Sequence, residues 1–113
     1  MRRLLATALV VCATPALACS CRPVDASTPP PSYLVLGTVV DATLSPDGQA
    51  ATTTIRVERR HIGKTGAVVT LHSRAHSAAC GVTFEKGKRQ LFAFARHNGR
   101  YITNLCLMLQ ARL

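Results

Sequence analysis

The sequence predicts an all-β fold, a small barrel or sandwich of five strands joined by short turns. Three observations carry that expectation. Short runs rich in Val, Ile, Leu and Thr follow one another between residues 33 and 107. Every gap between them holds a glycine-bearing turn, and no run has the spacing of a long amphipathic helix. Five such strands favour a small, partly open barrel of the OB type.

Each element follows from local chemistry. Pro29-Pro30-Pro31 marks an extended, non-helical lead-in. Tyr33 to Ala42 reads as a buried strand, and Gly37 in its middle predicts a bulge or bend that lets a sheet curl. Ser45-Pro46-Asp47-Gly48 is a turn: proline presets its own φ and glycine accepts a positive one. Thr52 to Arg60 alternates, with Thr53, Ile55 and Val57 on one face and Thr54, Arg56 and Glu58 on the other. Gly63-Lys64-Thr65-Gly66 turns the chain into a third β-branched run, Ala67 to His72. Glu85-Lys86-Gly87-Lys88 is a further turn. Gln90 to Arg96 and Arg100 to Leu107 form the last two strands, joined by Asn98-Gly99, the strongest short hairpin signal in the chain. The pattern leaves open whether Leu107 to Leu113 continues a strand or starts a helix.

Residues 1–18 read as a cleaved signal peptide. Arg2 and Arg3 make a positive start, and Leu4 to Ala13 is an apolar run too short to span a bilayer. Ala16 and Ala18 supply the small-x-small cleavage pattern. A short membrane anchor and lipidation of Cys19 are the competing readings, though Ala16 stands where a lipobox wants Leu. Cys12 leaves with the leader. Removing 18 residues from 113 leaves 95, so residues 19–113 are expected to form one small exported domain, secreted or periplasmic, with a marginal core.

Four cysteines then remain: Cys19 and Cys21 in a Cys-Ser-Cys run, Cys80 and Cys106. An even count in an exported chain argues for disulfides. Spacing allows three pairings and does not choose among them. Cleavage after Ala18 would make Cys19 the first residue of the mature chain, with its amine and carbonyl oxygen a few ångströms apart.

The charge balance is lopsided. With Arg2 and Arg3 removed, 12 Lys and Arg face five acids, a formal charge of +7. A basic exported surface suits an anionic polysaccharide, a membrane surface or an acidic protein. Tyr33, Phe84, Phe92, Phe94 and Tyr101 are too few to stack bases, so a nucleic-acid partner is not expected. An enzyme is not expected either. The five acids form no paired carboxylate motif, and no nucleophile–base signature is present. Cys-Ser-Cys lacks the strand-to-helix setting of a redox motif. His61, His72, His76 and His97 are scattered and read as surface residues rather than as metal ligands joining Cys19 and Cys21. Lys86, Lys88, Arg89 and Arg96 read as a solvated hairpin tip. No cofactor, no membrane span and a monomer are expected.

Together these motifs carry a resemblance. Cys19-Ser20-Cys21-Arg22-Pro23-Val24 resembles the amino terminus of the tissue inhibitors of metalloproteinases. Ser77-Ala78-Ala79-Cys80-Gly81-Val82 resembles that family's connector loop. Gln90-Leu91-Phe92-Ala93 and Ile102-Thr103-Asn104-Leu105-Cys106 resemble its closing hairpin. The wider class is the netrin-like module on an OB-type barrel. The resemblance implies the pairing Cys19 with Cys80 and Cys21 with Cys106. It implies an inhibitor in which the Cys19 amine and carbonyl oxygen displace water from the zinc of a target metalloprotease. Cys19 would then be a main-chain ligand to the partner's metal only. In that reading Ser20 points into the specificity pocket, Arg22 lies along the primed side, and Ala78 and Ala79 fill the unprimed side. The chain departs from the animal inhibitors in lacking a third barrel disulfide and a separate carboxy-terminal domain, and in its short loop between the first two strands. It resembles a bacterial single-domain relative. The alternative is a non-inhibitory netrin-like binding module for an envelope or extracellular protein or an anionic polysaccharide.

Overall fold

The computed structural model describes residues 19–113; the segment read as a leader, with Cys12, lies outside the described residues. Five strands form, β1 (Tyr33–Leu44), β2 (Ala50–Ile62), β3 (Val68–Arg74), β4 (Arg89–His97) and β5 (Arg100–Ile102). They close into a barrel in the order β1-β2-β3-β5-β4, with β4 paired back onto β1. All neighbours are antiparallel except β3 and β5, which run parallel over Leu71↔Tyr101 and His72↔Ile102. The barrel is closed, where the sequence pattern suggested a partly open one. Closure depends on β1, which is long enough to pair with both β2 and β4 and is bent by register shifts at Leu34/Val35, Leu36/Gly37 and Val39/Asp41. Gly37 sits at one of those shifts because the strands approach closely there: a Cβ would lie 2.8 Å from the Arg56 carbonyl oxygen.

The barrel interior follows from strand alternation. Thr53 and Ile55 of β2 point inward and are buried, while Arg56 and Glu58 are exposed. Val35, Val39, Ile55, Val69, Leu71, Phe92 and Phe94 form the core. Tyr33 stacks on Phe94 with ring centroids 5.1 Å apart, and Tyr101 stands edge-on to both rings. Phe84, from the loop before β4, packs edge-on against Phe92.

Turn chemistry behaves as the sequence predicts. Gly48 takes φ 73° and its N–H donates to Ser45 O at 2.8 Å. Asn98 and Gly99 both take positive φ, 51° and 75°, the pair a tight β4–β5 hairpin needs.

The chain end differs from the expected strand. β5 stops at Ile102, and Leu105–Met108 form a one-turn helix, α1. Asn104 is the cause: its side-chain oxygen accepts from the Leu107 N–H at 2.8 Å, capping α1 where a strand would continue. Thr103 anchors the switch. Its N–H donates to His72 O at 3.0 Å, and its hydroxyl donates to Ala93 O at 2.7 Å. One buried residue thereby ties β3 to β4 just past the end of β5. Beyond Met108 the chain turns, with Gln110 N–H donating to Leu107 O at 2.9 Å.

Candidate functional site

Two disulfides gather the segment from Cys19 to Pro23 against one end of the barrel. Cys19 pairs with Cys80 and Cys21 with Cys106, with Cα separations of 4.8 and 5.3 Å. This is the pairing implied by the resemblance, out of three that spacing allows. Two bridges in one small domain belong to an oxidising compartment.

The connector that carries Cys80 is held by its own backbone. Ser77–Ala79 form a 3-10 turn, and the Cys80 N–H donates to Ser77 O at 3.0 Å. Cys80 is left-handed, φ 59° and ψ 23°, a conformation of appreciable cost for a non-glycine residue. Gly81 follows and is buried; its N–H donates to His76 O at 2.8 Å. Val82 N–H donates to Arg74 O, and Ser73 Oγ donates to Val82 O, tying the loop to β3. Cys106 is linked to the same loop independently of sulfur, since Leu105 N–H donates to Cys80 O at 2.9 Å.

Gly81 has no space for a side chain. A Cβ there would lie 2.3 Å from Arg74 O and 2.7 Å from His76 O, both backbone atoms. Gly81→Ala is therefore expected to cost about 2–3 kcal/mol by forcing the connector apart. Urea unfolding of the variant beside the parent checks this, and an unchanged midpoint would show that the loop can yield.

The residues that the resemblance assigns to an inhibitory ridge lie at this end. Ser20 and Arg22 are exposed on the amino-proximal segment, and Ala78 and Ala79 are exposed on the connector. The Cys19–Cys80 bridge lies between these two groups, so the four side chains flank one covalent link. On one side a groove of about 590 Å³ runs beside Ser20, Arg22, Asp25 and Gln110. Asp25 closes a local turn there, its carboxylate accepting from the Ser27 hydroxyl at 2.6 Å and the Ser27 N–H at 2.8 Å. The Ser27 hydroxyl, followed by its N–H, holds the Asp25 carboxyl below the usual carboxylate range.

The other side was not legible as a site in the sequence. A second groove, about 530 Å³, opens beside Ala79 and Cys80, with His72, Arg74, His97 and Arg100 in its lining. Arg100 Nη2 donates to His72 Nδ1 at 2.7 Å. Burial, and after it the Arg100 charge, holds the His72 imidazole below its ordinary value, so it stays neutral and accepts that bond. His72 and Arg100 are 28 positions apart, and only the parallel β3–β5 pairing joins them. Among the described residues, the histidines do not gather with other His, Cys, Asp or Glu groups into a set of three that could ligate a metal.

No protein-family model matches the chain, and no curated protein matches it. The functional reading therefore rests on the class of molecule that fold and site define: a small closed β-barrel with a doubly bridged ridge at its amino-proximal end.

Proposed function

We propose that the chain is an exported inhibitor of zinc metalloproteases that acts through a mature amino terminus at Cys19. The single observation that supports this is the convergence of both disulfides on residues 19 and 21. They pin the stretch that cleavage after Ala18 would expose. Catalytic zinc keeps three protein ligands and one exchangeable position. The free amine and the carbonyl oxygen of Cys19 form a five-membered chelate at that position. Ser20 enters the pocket beside the metal, Arg22 runs along one side of the protease cleft, and Ala78 and Ala79 line the other. A ridge already held by two bridges loses little conformational freedom on docking, so more of the contact energy appears as affinity.

The resemblance of the Cys-Ser-Cys, Ala-Cys-Gly and Leu-Cys segments to the tissue inhibitors of metalloproteinases favours the same reading. Within that class, residues 19–113 are the inhibitory, netrin-like domain, and residues 1–18 are the removed leader. Among the described residues no helix is long and apolar enough to cross a membrane.

Only the unprotonated amine has a lone pair for zinc. An α-amino group titrates at about 7.7–8.0, so inhibition is expected to weaken roughly 100-fold from pH 8 to about pH 5.5. Inhibition constants measured across that range, corrected for the protease's own profile, test it. Equal inhibition at both ends rejects chelation.

A second reading has its own support. Arg56, Arg59, Arg60, Lys64, Lys86, Lys88 and Arg89 are all exposed, and the ion pair to them among the described residues is Arg89 with Glu58 at 2.6 Å. Such a surface suits an anionic polysaccharide or an acidic envelope protein. A mature form that inhibits no zinc protease but is retained on a sulfated-polysaccharide column until salt is raised would favour this binding module.

A further inference from the structure

We propose that the four thiols of the reduced chain form a closed tetrathiolate site for Zn2+ or a similar soft divalent cation. The inference is independent of the inhibitor reading, which concerns the oxidised form. It rests on the packing of the two bridges against each other. Cys19 Sγ lies 3.9 Å from Cys21 Sγ and 3.8 Å from Cys106 Sγ, and Cys106 Sγ lies 4.0 Å from Cys80 Sγ. Zinc binds thiolate at about 2.3 Å, which sets the edge of a tetrahedral tetrathiolate at about 3.8 Å. Three of the four non-bonded sulfur pairs thus already stand at the ligand spacing. Of the other three edges, two are the bridges themselves, and the third, Cys21 to Cys80, is wider and has to draw in. A disulfide holds its sulfurs about 2.0 Å apart, so each sulfur needs to move outward by about 0.9 Å.

The backbone keeps Cys80 and Cys106 side by side without sulfur bonds. Cys80 is presented by the 3-10 turn and the Gly81 cradle, and Cys106 by the Asn104-capped α1. Leu105 N–H to Cys80 O holds those two halves together. Cys19 and Cys21, two residues apart, supply the other two ligands on one flexible segment. All four cysteines are half-buried, so metal can enter. Arg22 beside Cys21, and Arg74 and Arg100 in the groove beside Cys80, favour thiolate over thiol and offset the two negative charges of the complex. Loading is balanced: one divalent cation replaces four thiol protons, which go to solvent, and no electrons move. The metal then supplies, in a chain whose thiols are not yet oxidised, the staple that the disulfides supply afterwards.

The test uses the full chain carrying Cys12→Ser, kept reduced by a phosphine, and Co2+ as the probe. One equivalent of Co2+ per chain is expected to give the visible spectrum of a tetrahedral tetrathiolate, and Zn2+ to displace it one for one. Cys80→Ser and Cys106→Ser are each expected to weaken Co2+ binding by more than about tenfold, the least that even an outer-shell partner is worth. Far-ultraviolet dichroism, read in parallel, is expected to show the β signal in the Zn2+ form. Loss of the cobalt spectrum in concentrated guanidinium chloride would support a folded site. The proposal is overturned by the absence of a tetrahedral spectrum, by its persistence in denaturant, or by a spectrum indifferent to Cys80→Ser and Cys106→Ser. Indifference would assign the metal to the Cys-Ser-Cys segment alone. The oxidised chain, which has no thiolate, is the blank.

Discussion

A single alanine placed before Cys19 is expected to abolish protease inhibition, by roughly 100-fold or more, while leaving the unfolding midpoint of the barrel unchanged. The extension converts the amine into an amide, whose nitrogen lone pair is delocalised into the carbonyl and does not bind zinc. It also puts a residue where the metal has to sit. Nothing inside the fold is disturbed, since Ser20 and Arg22 beside it are exposed and both bridges begin at or after the modified residue. A factor of 100 corresponds to about 2.7 kcal/mol, a modest figure for losing one of two ligands from a chelate. The measurement is a pair of inhibition constants, each on material whose first residue has been verified by mass. Equal potency would assign inhibition to the rest of the ridge. Two inactive forms would favour the polysaccharide-binding module.

The sequence was most legible where one residue determines one conformation. Asn98-Gly99 announced its hairpin because both residues tolerate positive φ, and both adopt it. Gly37 announced a bulge, and the register shifts beside it, where a Cβ would meet the Arg56 carbonyl. Thr53 and Ile55 showed the inward face of β2 because alternation is a local property of a strand. The chain end was misread because Ile102 to Leu107 is as apolar as a strand, and the decisive side chain, Asn104, is polar and acts on a backbone N–H three residues on. Element pairing was least legible. The parallel contact of β3 with β5 spans about 30 residues and has no local signal, so the His72–Arg100 pair was invisible until the barrel closed. Disulfide pairing was of the same kind. Spacing left three possibilities, and only family resemblance chose the one found. The ridge residues were legible as a motif, whereas the second groove beside Ala79 was not, because its lining comes from three separate parts of the chain.

Opening either disulfide is expected to remove a large part of the stability of this domain. The bridges join residues separated by 61 and 85 positions. In the chain-entropy model, loops of that length are each worth about 4 kcal/mol, set against a total of about 5–15 kcal/mol for a typical domain. The paired variants Cys19→Ser with Cys80→Ser, and Cys21→Ser with Cys106→Ser, remove one bridge each and leave no unpaired thiol among residues 19–113. Their loops overlap from residue 21 to residue 80, so the constraint each bridge places on the unfolded chain is partly shared. With one bridge still closed the shared part is retained, so the first bridge to be opened costs less than the second, and the fourfold Ser variant loses more than the sum of the two single-bridge losses. The native connector gives an independent reason for the same sign. Without its bridge, Cys80 keeps the left-handed backbone but loses the covalent link that repays the strain. Urea unfolding of the three variants and the parent measures all of this. Midpoints that drop in both single-bridge variants, by similar amounts and with a double loss larger than their sum, are the expected result. A single-bridge variant as stable as the parent would show that the barrel core of Val35, Ile55, Leu71, Phe92 and Phe94 holds the fold without that staple. If that variant also kept full inhibitory strength, docking would not depend on clamping the residue that the bridge holds.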